Sequence, residues 1–129
     1  MAVELKVLGY AALLQFVQFV LMAVPVSLQL GVAYTGGNRD HQKLATGIPG
    51  RLKRAFENHN EGLILFTIAV LVVVVGDASS PLTIQCAWAY FWARVLYIPA
   101  YVSGVFGVRS LIWGIGFAAT AIMLIDALF

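Results

Sequence analysis

Apolar residues run through this chain in four long blocks, at residues 5–34, 55–76, 82–108 and 110–129, and the polar positions inside them recur at three- and four-residue intervals. Three- and four-residue spacing is the period of one helical face, so the blocks read as helices rather than strands. Each holds roughly the 20 residues that a helix needs to cross a hydrocarbon layer of about 30 Å. The pattern therefore predicts an all-α membrane protein, a single domain of four transmembrane helices forming one bundle over residues 1–129, with no room for a separate soluble domain. The connection at 35–50 is the one real loop, rich in the turn formers Gly36, Gly37, Asn38, Gly47, Pro49 and Gly50. Pro49 suits the first turn of the second helix, where a missing N–H costs nothing. Pro25 and Pro99 are expected to bend the first and third helices. On the first, Gln15, Gln18 and Gln29 are placed for hydrogen bonds between helices.

The purely apolar part of the second block, 62–76, is shorter than a span, so the polar residues before it should enter the membrane. Arg51, Arg54, Asn58 and Glu61 fall along one face there, and Arg94, Tyr97 and Tyr101 along one face of the third block. A guanidinium within an apolar segment is costly unless something buried answers it, which makes Arg94 the most informative residue in the chain. At ~1.5 Å per residue, Glu61 lies about 22 Å in from Gly76 and Arg94 about 20 Å in from Pro81. That matched depth predicts a Glu61–Arg94 ion pair, with Asn58, Tyr97, Tyr101, Arg54 and Arg109 continuing a polar ladder to one end. A structural pair with interfacial arginines would need fewer polar groups than these, so the stripes predict a cleft for an anionic ligand. His59 and Asn60 flank the stripe and read as interfacial; Asp126 reads as solvated, and Cys86 as a buried, inert thiol. His41 and His59 sit in different segments and do not make a metal site.

Composition agrees with the membrane class: 61% of the residues are hydrophobic and the mean hydropathy is +0.90. Glu4 beside Lys6 and the length of the first apolar run argue for a retained helix rather than a signal peptide. A net charge of +2 is small, yet Arg39, Lys43, Arg51, Lys53 and Arg54 crowd the first connection, whereas 76–81 carries only Asp77. Positive-inside bias then puts 35–50 in the cytoplasm, both termini and the Asp77 turn on the opposite side, and Arg109 at a tight turn back on the cytoplasmic side. Membrane lipids and topology account for these basic residues, and a nucleic-acid partner is set aside.

The segments Arg51-Leu-Lys-Arg54-Ala-Phe-Glu-Asn58-His-Asn-Glu61 and Arg94-Val-Leu-Tyr97-Ile-Pro-Ala-Tyr101, followed by Arg109-Ser110, resemble the membrane-associated proteins in eicosanoid and glutathione metabolism, the MAPEG family of microsomal glutathione transferases. The resemblance spans most of the chain. It implies a homotrimer of four-helix protomers with glutathione held at the cytoplasmic side between neighbours. Arg51, Arg54, Asn58, Glu61, Arg94, Tyr97 and Tyr101 would line that site, Glu61 accepting from the α-amino group, while Arg109 with Ser110 would stabilise the thiolate. Glu57 stands where some members carry a basic residue, Tyr97 replaces a histidine of some relatives, and residues 29–34 lack an arginine that several members supply. Two functions fit: a glutathione-dependent transferase or peroxidase acting on lipophilic electrophiles, or a non-catalytic protein of the same fold, serving as lipid-binding module or accessory subunit of a larger membrane-protein complex.

Overall fold

The computed structural model describes residues 1–38 and 43–129; Arg39 and His41, which entered the charge and metal readings, lie outside the described residues. The described chain is helical: α1 (Val3–Leu30), a single turn α2 (Val32–Thr35), α3 (Gly47–Val75), α4 (Pro81–Ser103) and α5 (Val108–Leu128). The helix boundaries differ from those the hydropathy predicts. The first apolar block, 5–34, breaks at Gly31, whose φ of 94° only glycine adopts freely. The second helix begins at Gly47 rather than 55, because a helix can leave the apolar layer without ending; Pro49 is its third residue, in the first turn as expected. The third ends at Ser103 rather than 108, stopped by Gly104 in the left-handed region (φ 70°, ψ 14°). Residues 104–107 form the last turn, so Arg109 is the second residue of α5 rather than part of the turn. Both α1 and α4 run on through Pro25 and Pro99.

Three helices, α1, α3 and α5, are long and apolar enough to cross a membrane. The expected fourth, α4, has 23 residues but not the required apolarity: Thr83, Gln85, Tyr90, Arg94, Tyr97 and Tyr101 dilute it. α1 packs along α3 and α4, α5 packs along the same two, and α3 touches α4 across the middle. The core between them is built largely of small residues, Ala11, Ala69, Ala87 and Ala119, around Phe66, Val70, Val73 and Met123. Small side chains let helix backbones approach closely, which drives association where lipid is as apolar as leucine. Phe66 stacks on Tyr90 at 3.9 Å between centroids, and Cys86 is buried and free.

Polar groups tie the two ends. At one, Ser80 caps α4 in a reciprocal bond with Thr83, whose hydroxyl also donates to the fully buried Glu4 at 3.2 Å. Asp126 is exposed, as expected, and also accepts from Ser80 at 3.2 Å. At the other, Gln29 bonds both the N–H and the C=O of Thr46, fastening the end of α1 to the start of α3. Gln15 donates to Asn60 at 2.8 Å, so Asn60 also ties α1 to α3.

Candidate functional site

Arg94 is 3% exposed, at the centre of the molecule. Its Nη1 donates to Asn58 at 2.9 Å, its Nε to His59 Nδ1 at 3.4 Å, and its guanidinium lies 4.4 Å from the Tyr97 ring centre. The predicted ion pair with Glu61 is absent: Glu61 is exposed, and Arg94 is held by neutral groups. Three residues carry the helix round by about 300°, so Asn58 and Glu61 diverge by ~60° although they share a stripe. His59, read as interfacial, is fully buried and bridges three helices, its Nε2 3.2 Å from the carbonyl of Ala11. Because Nδ1 accepts from Arg94, Nε2 carries the proton and donates to that carbonyl, which fixes the neutral tautomer. Its position within a polar segment had hidden it; the usable signal was its 100° offset from Asn58, which points it between α1 and α4.

Toward the end of the molecule carrying the 104–107 turn, the remaining predicted residues converge on Tyr101. Arg54 Nε donates to its hydroxyl at 3.0 Å, and Arg109 lies 4.6 Å from its ring centre. Arg51 donates to the carbonyl of Val102 at 2.9 Å, satisfying one of the orphan acceptors in the last turn of α4. Tyr97 and Tyr101 sit 5.6 Å apart, centre to centre. Two hollows share Arg54, Tyr101, Arg109 and Ser110 and so make one trough. The outer part, about 440 Å³, adds Arg51 and the 104–107 turn; the inner, about 300 Å³, adds Asn58, Tyr97 and Trp113.

The trough is strongly positive. None of Arg51, Arg54 and Arg109 meets a carboxylate among the described residues; each is engaged by a carbonyl, a phenol or a ring. Glu57 is exposed and lines neither part. Arg109 and Ser110 are the second and third residues of α5, whose Gly107 cap provides no side-chain acceptor. The unpaired N–H groups of that first turn add the positive end of the helix dipole to the same space. Arrayed guanidiniums, phenolic hydroxyls and a helix N-terminus can bind carboxylates and favour the ionised form of a thiol.

Glu61 and Arg94 belong instead to a neighbouring cavity of about 160 Å³ between α3, α4 and α5, which meets the trough at Asn58 and Trp113. Among the described residues no three of His, Cys, Asp and Glu gather as metal ligands.

The family model that matches this chain is that of the MAPEG family, over residues 7–129. No curated protein and no solved structure matches it.

Proposed function

The chain belongs to the MAPEG family, and on that premise we propose that it is a membrane-embedded, glutathione-dependent transferase or peroxidase acting on lipophilic electrophiles. The observation that carries the reading is the trough: three guanidiniums around Tyr101 with no protein carboxylate to neutralise them. Glutathione offers two carboxylates, an ammonium and a thiol, a charge pattern that fits this donor set and the Glu61 carboxylate beyond it. Arg51 and Arg54 would take carboxylates, Asn58 and Tyr97 would line the passage inward, and Glu61 would accept from the α-amino group. Arg94 acts here by holding the Asn58 side chain in place. Arg109, Ser110 and the first turn of α5 would hold the sulfur, where a guanidinium and a helix dipole in low dielectric favour the thiolate. The thiolate is the nucleophile that glutathione supplies when bound; the protein positions it and excludes water.

Four spans and a homotrimer belong to the same proposal. The buried residues of α4, Thr83, Cys86, Ala87, Tyr90, Ala93, Arg94, Tyr97 and Ala100, form a single helical stripe, while Leu82, Trp92 and Leu96 are exposed. Inward polar groups and an apolar exterior suit a helix crossing lipid among neighbours. The loop 35–50 and the 104–107 turn would then face the cytoplasm. A neighbouring protomer would cover polar surface at membrane depth, namely Glu61 and the Gln15–Asn60 pair in an outward groove of about 560 Å³.

One observation favours the lipid-binding alternative: Lys43 and Lys53 stand over an apolar groove of about 220 Å³ walled by Phe19, Met22 and Val26, a fit for an anionic lipid. Calorimetric titration of glutathione into detergent-purified protein, with the mass of the assembly recorded, separates the two. Saturable binding, weakened about tenfold or more by Arg54→Ala, is the expected result, since a charge-assisted hydrogen bond contributes roughly 1.5–3 kcal/mol. No heat from an intact assembly would move the assignment to the lipid-binding reading.

A further inference from the structure

The cations of α3 face two ways. Arg51 and Arg54 serve the trough, whereas Lys53, one residue and ~100° before Arg54, turns toward α1. There it shares a groove with Lys43, Phe19, Met22, Val26 and Leu30. Lys53 has no hydrogen bond or ion pair among the described residues. Lys43 donates from Nζ to the carbonyl of Leu30 at 3.4 Å and lies 5.2 Å from the Tyr34 ring centre. An ammonium has three protons, so that one bond leaves others for a further acceptor. No carboxylate lines the groove among the described residues, and two ammonium groups over an otherwise uncharged wall call for an anion.

The apolar wall decides which anion. It belongs to α1, a helix long and apolar enough to cross a membrane, and Phe19 within it is 51% exposed. Phe19 and Leu30 stand about 16 Å apart along that helix at ~1.5 Å per residue, and half of a hydrocarbon layer is about 15 Å. A groove of one leaflet's depth, with cations toward the end of the helix, matches an acyl chain below a phosphate. A soluble anion would use the lysines and leave the groove uncovered. A zwitterionic headgroup would bring its own ammonium beside two others, which repel it.

We propose that this groove is the seat of one resident anionic glycerophospholipid, its phosphate between Lys43 and Lys53 and one acyl chain along Phe19, Met22 and Val26. Lys43 belongs to the connection before α3, Lys53 to α3 itself and the apolar wall to α1. One phosphate on both lysines therefore fastens three segments, which the bonds between Gln29 and Thr46 also join. Such a lipid serves the fold rather than the trough, so its presence depends on neither reading of the function.

The test uses the full-length protein, delipidated in mild detergent and without glutathione, and counts bound dioleoyl-phosphatidylglycerol and dioleoyl-phosphatidylcholine by native mass spectrometry. Saturable binding of one phosphatidylglycerol per chain is expected, with phosphatidylcholine weaker and the Tm rising as phosphatidylglycerol is added. Lys43→Gln and Lys53→Gln should each weaken binding about fivefold, and together about thirtyfold, the value of surface lysines against an anionic headgroup. Ala23→Phe, which fills the groove and keeps both lysines, should abolish it. Arg54→Ala should leave it intact, which separates the groove from the trough. The lysine variants remove no core contact, so they decide the outcome even where Ala23→Phe does not fold. Equal binding of phosphatidylcholine, displacement by equimolar inorganic phosphate, a lack of saturation, or unchanged occupancy in the double lysine variant overturns the proposal. A null titration with glutathione changes none of these outcomes.

Discussion

Arg94 and His59 illustrate how a charge is kept inside an apolar helix. The groups that the guanidinium bonds or stacks on, Asn58, His59 and Tyr97, are uncharged, so the cation is held by hydrogen bonds and a ring face rather than by an ion pair. His59 is the middle link, accepting from α4 and donating to α1. Replacing it with phenylalanine keeps the volume but strands Arg94 Nε, whereas the carbonyl of Ala11, inside α1, keeps its helix bond. A loss of about 1–3 kcal/mol follows, and thermal unfolding in detergent should show a lowered Tm; an unchanged Tm would mean that the bridge is not formed. Arg94 was legible in the sequence because a charge in an apolar run has no ordinary explanation. Its partners were not, because counting residues gives depth along a helix, whereas partnership depends on rotation about the axis. Glu61 matched the depth, and Asn58 and His59 matched the angle.

At the scale of elements, hydropathy located the helices and misplaced their ends. Apolar runs mark the part of a helix in contact with lipid or core, whereas ends are set by backbone conformation at single residues such as Gly31 and Gly104. Gly104 matters most, since it both terminates α4 and lies against the Arg51 guanidinium that caps it: an added Cβ would sit 3.1 Å from Arg51 Nη1. Gly104→Ala therefore meets two costs, a positive φ and a displaced arginine, and should destabilise the protein by about 1 kcal/mol or more. It should also weaken anion binding in the trough, because Arg51 must move; calorimetry on the folded variant checks the second effect separately. The polar stripes themselves were readable, since Arg54, Tyr97, Tyr101, Arg109 and Ser110 do line one trough. What the pattern did not disclose was that the stripes diverge into two compartments.

For the whole molecule, the sequence carried its helical class and its membrane setting, because both follow from composition and period, and the family match covers nearly all of it. Whether α4 crosses is the point at which composition alone falls short, since its polar residues count against it although Thr83, Tyr90, Arg94 and Tyr97 are buried. Labelling with a membrane-impermeant thiol reagent in a Cys86→Ser background decides it: Asp77→Cys and Val105→Cys should react from opposite sides if α4 spans, and from the same side if it does not. Raising the salt from low to molar concentration should weaken anion binding in the outer trough, because mobile ions screen exposed charge; calorimetric titration at the two salt concentrations checks it. The junction of the two compartments has one more consequence. Trp113 borders both and lies stacked on Phe117 at 5.0 Å, so replacing Trp88 and Trp92 with phenylalanine leaves a single indole whose fluorescence reports on each chamber in turn, an optical gauge already built into the wall that separates them.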